Sequence, residues 1–407
     1  MKITELVTHL VHVPIPLQEQ VRSGAGRKLA RQAALVEVRT DEGVSGIGPC
    51  SFGSASVDLF AVRSIVEHAF APALRGRDPA RVEATWNELY YGLVTRTLGH
   101  RGMGVAILSA IDIALWDIKG KIAGRPVYEL LGGPTIDAAR CYGSSIYWST
   151  PDQAAERALA FLRDGFGAVK LKIGVDAQQD LESLAAIREA VGSGVDIMVD
   201  ANQCYSVDLA IKVGRRLDQY DVLFLEEPIS IDDVAGHKHL ADALDTRVAT
   251  GENLYTRWGF LPFIVDRAVD IVQPDASRCG GISEAHRIAD LAAAFHSYSA
   301  PHTFSDAYSV VANLHVMAAT ANTIILELDH TYNPLMTDLV QESIRPREGL
   351  VDLPTGPGLG LTLDRDFVED HPYDGELGIS VGAPPAVGLA TELLNERALR
   401  ELQVREP

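Results

Sequence analysis

Seven side chains able to bind a cation or move a proton recur at near-constant intervals. They are Lys172, Asp200, Glu226, Glu252, Asp275, His302 and Glu327, with steps of 28, 26, 26, 23, 27 and 25 residues. A strand-plus-helix unit of a parallel barrel takes about that length, so the seven occupy equivalent points on successive strands. Such points converge at the C-terminal mouth of the barrel, where barrel enzymes do their chemistry. Apolar runs precede Asp200, Glu226, Glu252 and Glu327. Burying unpaired carboxylates behind them would be costly, which argues against chance placement among 55 acidic residues.

Three of the seven, Asp200, Glu226 and Glu252, form an all-oxygen donor set without Cys or His, which favours Mg²⁺ (or Mn²⁺) over zinc. Glu227 and Asn253 are adjacent but face the other way along the strand and can only support the ligands. GAVKLKIG, residues 167 to 174, places Lys170 and Lys172 two apart in an apolar run. In a strand they share a face about 6.6 Å apart. A nearby cation and each other's charge would disfavour their protonated forms, letting one act as a base near neutral pH. A KxK pair alone is equally compatible with a solvated edge strand. Asp275 and His302 have the spacing of an orienting carboxylate and its imidazole on adjacent strands, a second base. No GxSxG occurs, so a hydrolase triad has no support.

The elements that position these residues are legible as short β-branched runs between helical stretches. The strand candidates are RCYGSSIYW (140 to 148), AVKLKI, VDIMVDAN, VLFLEEP, RVATGEN, DIVQPDAS, SYSAPH and TIILELD. SVDLAIKVGRRLDQY (206 to 220) and GISEAHRIADLAAAFH (281 to 296) are helix candidates. No GxGxxG follows the first strand, so a TIM-type α/β barrel is favoured over an open dinucleotide-binding sheet. Residues 1 to about 50 alternate as an antiparallel sheet with a hairpin turn at DEG (41 to 43), and 57 to 123 show helical spacing. The expected organisation is an α+β module over 1–125, the barrel over 126–330, and a Pro- and Gly-rich return segment with a tail over 331–407.

A net charge of -19 opposes nucleic-acid binding. Four cysteines without CxxC or CxxH spacing argue against structural zinc or a disulfide framework and suit a cytoplasmic protein. The N-terminus lacks the features of a signal peptide, and GVAILSAIDIALWDIKGK (104 to 121) is too polar to span a membrane.

IDIALWDIKGK, KLKIG, VDAN, LEEP, TGEN, QPD, the PH of APHTF and LELD, in this order, resemble the enolase superfamily, in its mandelate racemase-like branch. The resemblance covers nearly the whole chain. It implies a (β/α)7β barrel capped by a domain built from both chain ends, and one Mg²⁺ on Asp200, Glu226 and Glu252. It also implies abstraction of the proton α to a carboxylate, giving an enediolate; the use of Lys or His bases with Mg²⁺ is a stated property of that superfamily. By position, Lys172 is the base on one face of the α-carbon and Lys170 neutralises the substrate carboxylate. The His302–Asp275 pair stands on the other face, and Glu327 is protonated, donating a hydrogen bond to the carboxylate. Assembly into homo-oligomers is a further implication.

The same machinery supports three outcomes: dehydration of an aldonic or aldaric acid, opening of an aldaric-acid lactone by a cycloisomerase, or racemisation of a 2-hydroxy acid. The loop PLQEQVRSGAGRKLARQ (16 to 32) carries Arg22, Arg27, Lys28 and Arg31 and no aromatic residue. Cations there suit a polyhydroxylated acid or diacid better than an aromatic one. Arg22 and Asn202 are the candidate substrate contacts. An acid-sugar dehydratase is the favoured reading, with the cycloisomerase next and a non-catalytic Mg²⁺-binding barrel a remote alternative.

Overall fold

The computed structural model describes residues 1–23, 26–51 and 57–380. The chain opens with β1 (Ile3–Pro14), β2 (Arg22–Ser23), β3 (Gly26–Lys28), β4 (Ala30–Thr40) and β5 (Ser45–Cys50). β1, β4 and β5 form an antiparallel sheet, turned at Gly43, whose φ of 79° is open to glycine. One face of this sheet packs on the helix Met103–Ala123, whose interior positions Val105 to Leu115 are all buried. That helix also touches the rest of the chain through two buried acids. Asp112 accepts from Ser283 N at 3.0 Å and Ser283 Oγ at 2.6 Å. Asp117 accepts from Ile47 N, from Leu359 N and, at 2.7 Å, from Lys121 Nζ.

Eight strands follow: β6 (Ala138–Ile146), β7 (Ala168–Lys172), β8 (Asp196–Asp200), β9 (Val222–Glu226), β10 (Arg247–Thr250), β11 (Ile271–Val272), β12 (Tyr298–Ser299) and β13 (Leu326–Asp329). All neighbours pair in parallel in the order β12-β11-β10-β9-β8-β7-β6-β13. A parallel bridge from Ser299 to Thr323 brings β12 against the start of β13 and closes the ring. This is the TIM-type barrel expected from the spacing.

Several strands end earlier than their apolar runs implied, and the cause is local. β11 stops at Val272 and β12 at Ser299, each two residues before a proline (Pro274, Pro301) that has no N–H for the ladder. β9 stops at Glu226 because Glu227 turns left-handed, with φ 39°. β10 stops at Thr250 because Gly251 takes φ 147°. There a Cβ would stand 2.6 Å from the Phe260 ring and 2.8 Å from Gln273 N. The shortened strands release the chain at the residues that carry chemistry.

Alternation within the strands sorts side chains into layers. Ala168, Met198, Phe224, Ile271, Ala300 and Ile325 belong to one apolar plug inside the barrel. Two residues further along the same strands, on the same face, come Lys170, Asp200, Glu226, Gln273, His302 and Glu327. A floor of hydrocarbon therefore lies under a ring of polar groups.

After the barrel, β14 (Leu350–Asp352) pairs antiparallel with β6. The chain then runs back to the N-terminal sheet: Tyr373 N donates to Leu10 O, and β15 (Ile379–Ser380) pairs with β3, Ile379 opposite Lys28. The tail from residue 381 lies outside the described residues. Among those described, no helix is long and apolar enough to cross a membrane.

Candidate active site and metal centre

The mouth of the barrel holds all seven residues of the repeat. Asp200 ends β8 and Glu226 ends β9, both fully buried, and Glu252 follows the Gly251 turn. One carboxylate oxygen from each of the three lies within 4.8 Å of those from the other two. Glu226 Oε1 is buried with no hydrogen-bond partner, an arrangement that costs free energy unless something positive faces it. Crowding shows in the protonation: burial first, then Asp200 and Glu327, push the Glu226 carboxyl above its usual range. An all-oxygen cluster with an orphaned buried oxygen fits a hard divalent cation.

The surroundings hold these ligands in place. Asn202, at φ 43°, donates its N–H to Asp200 Oδ1 at 2.8 Å and its side-chain amide to Oδ2 at 3.4 Å. Asn202, expected as a substrate contact, is thus engaged with Asp200. Glu227 accepts from Asn253 Nδ2 at 2.8 Å and from Gln203 Nε2 at 3.1 Å. Arg278 donates to Glu252 O and Asn253 Oδ1 at 2.7 and 2.9 Å.

Lys170 Nζ, fully buried, stands 2.8 Å from Glu226 Oε2, 2.8 Å from Glu327 Oε1 and 3.7 Å from Asp200 Oδ2. Lys172 pairs with Asp200 Oδ2. Without a cation on the cluster, the facing carboxylates dominate the two lysines. Burial and mutual repulsion do push the ammonium groups down, but the carboxylates outweigh both and hold each lysine above its ordinary range. The depression expected from the sequence supposes a cation on Asp200 and Glu226, which would take up the negative charge that faces the lysines here.

Glu327 is set by the same balance of charges. Burial pushes its carboxyl up, while Lys170 and then His302 draw it below the usual range in the cation-free site. Its Oε2 accepts from Thr303 N at 3.1 Å.

His302 Nδ1 lies 3.0 Å from Asp275 Oδ2, the paired geometry anticipated from the spacing. Asp275 Oδ1 accepts from Ser277 N, Ser277 Oγ and Asn313 Nδ2, at 2.8, 2.6 and 3.2 Å. With its oxygens so engaged, the carboxylate is kept below its usual range despite burial. The opposite ring nitrogen, Nε2, faces Glu252 Oε2 at 3.5 Å. Burial lowers the imidazole, but Glu252, Asp275 and Glu327 together raise it to about 9. Around the closed ring β12 and β7 are three strands apart, so the imidazole and the lysines approach the carboxylate cluster from different sides.

The cap supplies groups that spacing could not reveal. Arg31, only 5% exposed, pairs with Asp329 Oδ2 at 2.7 Å, donates to Tyr332 O at 3.0 Å and bonds Thr331 Oγ1. Asp329 is the last residue of β13, so this pair latches the N-terminal sheet to the barrel. Lys28, 7% exposed, places Nζ 3.7 Å from the centroid of the Phe304 ring. Burial first, then Arg31, holds its ammonium well below the lysine range; Lys172 and Glu252 are among the charges it feels. Tyr147 feels Asp329, Arg31, Lys172 and Glu327. Arg27 is exposed, and the Arg22 side chain lies outside the described residues.

An eight-stranded parallel barrel with a hard-cation cluster, paired lysines and an Asp–His pair at its mouth defines an enzyme class that removes protons next to carboxylates. Residues 153–367 match the family model described as enolase C-terminal domain-like, and residues 5–132 match the mandelate racemase / muconate lactonizing enzyme N-terminal domain. The chain belongs to the mandelate racemase / muconate lactonizing enzyme family of the enolase superfamily. A D-galactarolactone cycloisomerase from Agrobacterium fabrum is 36% identical over 382 residues, covering 91% of this chain and 98% of that protein. An arabinonate dehydratase from Saccharolobus solfataricus is 36% identical over 340 residues, covering 82% and 89%. A solved structure from Bordetella bronchiseptica RB50, provisionally named a mandelate racemase, is 46% identical. It covers 94% of this chain and 97% of its own, with a TM-score of 0.91.

Proposed function

We propose that the protein abstracts the proton α to the carboxylate of an acid sugar and eliminates water from the adjacent carbon. The observation that carries this reading is the approach of two proton-moving groups, Lys172 and the Asp275-held His302, to one carboxylate cluster from different strands. Asp200, Glu226 and Glu252 would hold Mg²⁺. When bound, it supplies positive charge to offset the charge that grows on the substrate carboxylate.

Lys170, fixed by Glu226 and Glu327, meets the substrate carboxylate as a second positive group. Lys172 Nζ, in the neutral form it would reach once Asp200 shares its charge with a bound cation, takes the proton from C2. The electrons left on C2 form the enediolate, and then expel the C3 hydroxyl as His302 Nε2 gives it a proton, so that C3–O breaks and water leaves. Asp275 keeps Nδ1–H directed at itself, which leaves Nε2 for the substrate. The product enol takes up a proton at C3 and becomes a 2-keto-3-deoxy acid. The same steps with a lactone ring oxygen as the leaving group open the ring without change of mass. The likeness to a D-galactarolactone cycloisomerase over nearly its whole length favours this as the second reading.

Proton NMR in D₂O of the Mg²⁺-loaded protein with aldonic acids, aldaric acids and their lactones separates the outcomes. A new CH₂-type signal with loss of water shows a dehydratase, and the same signal at unchanged mass from a lactone shows a cycloisomerase. Exchange of the α-proton with inversion and no elimination would replace both readings by racemisation.

A further inference from the structure

Three described cations of the cap segment after Arg22 have different fates. Arg27 is in solvent. Arg31 is consumed by Asp329, Thr331 and the Tyr332 carbonyl. Lys28 is buried about as deeply as Arg31 but forms no ion pair among the described residues; its Nζ lies over the face of Phe304. The acids that act on it are otherwise engaged, Asp329 by Arg31 and Glu252 in the carboxylate cluster, and burying an ammonium without a direct partner costs more than one cation–π contact returns, so the site is poised for an anion brought by a ligand.

The position of that vacancy in charge is informative. Phe304 lies two residues beyond His302, and Arg31, three residues beyond Lys28, is locked to the end of β13. The lysine therefore hangs from the cap over the barrel mouth. Lys170 and the carboxylate cluster lie in the ring below, where the reacting carboxylate would be held. Backbone pairing fixes the strand: Lys28 N donates to Val21 O at 3.0 Å, and Lys28 stands opposite Ile379 in the ladder with β15. A cation so placed faces the end of the substrate remote from the reacting carbons.

We propose that Lys28 receives a second, distal carboxylate of the substrate, so that the preferred substrates are aldaric acids or their monolactones rather than aldonic acids. The inference rests on the acid-sugar reading above and narrows it, since the relatives named above include both a lactone of a diacid and a monoacid.

Binding and turnover test it separately. Isothermal titration of Mg²⁺-loaded Lys172→Ala, chosen to remove the proposed base and so prevent turnover, is run with galactarate and glucarate against galactonate and gluconate, then repeated with Lys28→Met added. Diacids are expected to bind more tightly than their monoacids. Lys28→Met is expected to weaken diacid binding about 10- to 100-fold, as for loss of a charge-assisted hydrogen bond, and to change monoacid binding less than about threefold. Lys28→Arg keeps part of the preference, and Arg27→Met keeps all of it. Unfolding profiles of each variant identify one that fails to fold, in which case Lys28→Gln replaces Lys28→Met. Equal losses on diacids and monoacids, or no diacid preference at the outset, would overturn the proposal. A Lys28-dependent preference in a protein that exchanges no α-proton would instead overturn the dehydratase reading and leave the distal-carboxylate site standing.

Discussion

His315 offers a stability measurement whose sign and size follow from two hydrogen bonds. The ring is fully buried in the helix Ala307–Ala318. The amide of Tyr128 points at Nδ1 from 3.2 Å, and Nε2 lies 3.2 Å from Leu359 O. An amide N–H can only donate, so Nδ1 is an acceptor and the proton sits on Nε2. A second proton on Nδ1 would turn the Tyr128 contact into two opposed donors. Burial lowers the imidazole to about 4, with the Leu359 carbonyl opposing in part. Because the folded value lies below the ordinary 6.5, the unfolded chain binds a proton between those pH values that the folded chain refuses. Stability is complete above about pH 6.5 and is lost as the pH falls towards 4. Linkage gives a loss of about 1.4 kcal/mol by pH 5.5 and about 2.5 kcal/mol by pH 4.5.

The perturbation is His315→Gln, which cannot titrate, and the assay is urea unfolding at pH 7.5, 6.5, 5.5 and 4.5. The variant is expected to be less stable at pH 7.5 by about 1–3 kcal/mol, from the disturbed hydrogen bonds. The gap should then shrink, or reverse, by those amounts as the pH falls. Buried acids act in the opposite direction over the same range: Asp112 and Asp180 are raised to about 7 and Asp306 to about 6, chiefly by burial. They cancel in the difference between the two proteins. Parallel profiles for wild type and variant, or an NMR midpoint for His315 at or above 6.5, would refute the argument.

Other outcomes are expected from the same structure. Mg²⁺ should raise the unfolding temperature, contributing about 2.7 kcal/mol when free cation stands a hundredfold above its Kd; calorimetry with Glu226→Gln should show the increment largely lost. Lys172→Ala should slow α-proton exchange in D₂O by about 10²- to 10⁴-fold without lowering the unfolding temperature, a pairing that NMR and calorimetry read together. Asp329→Ala strands the buried Arg31 guanidinium and should cost about 3–5 kcal/mol, most of it recovered when Arg31→Met is added. Gly251→Ala, forced into φ 147° against Phe260 and Gln273, should cost about 1–3 kcal/mol in denaturant unfolding.

The barrel and the cluster of acids were legible because both obey a period. Successive strand ends recur about every 26 residues, and within a strand every second residue shares a face, so Asp200 and Glu226 declared their positions. Strand lengths were misread where one residue breaks the ladder, as Pro274 and Pro301 do, since an apolar run continues past the point where hydrogen bonding stops. Charge states are not legible in the sequence because they depend on which groups meet across the barrel. Glu327 meets Lys170 at 2.8 Å, and no spacing announces that pair. Lys28 and Phe304 are further still from legibility: nothing local in either segment marks the other as its partner. Gln273, buried in the polar layer with both amide atoms unpaired, was likewise passed over as part of an apolar run.

The pairing of β3 with β15 also bears on how the protein is made. Lys28 and its ladder partner Ile379 are separated by 351 positions in the chain, so the strand carrying the lysine leaves the ribosome long before its neighbour exists. At ordinary elongation rates of about 5–20 residues per second the wait is roughly 20 to 70 s. The last barrel strand ends at Asp329, so over the final 50 positions of that span, roughly 3 to 10 s, the barrel can close while the strand over its mouth is paired on one side only. Completion of the cap is therefore a late event in biosynthesis, and a chain arrested near residue 370 would carry the catalytic ring without the last strand that steadies its cover.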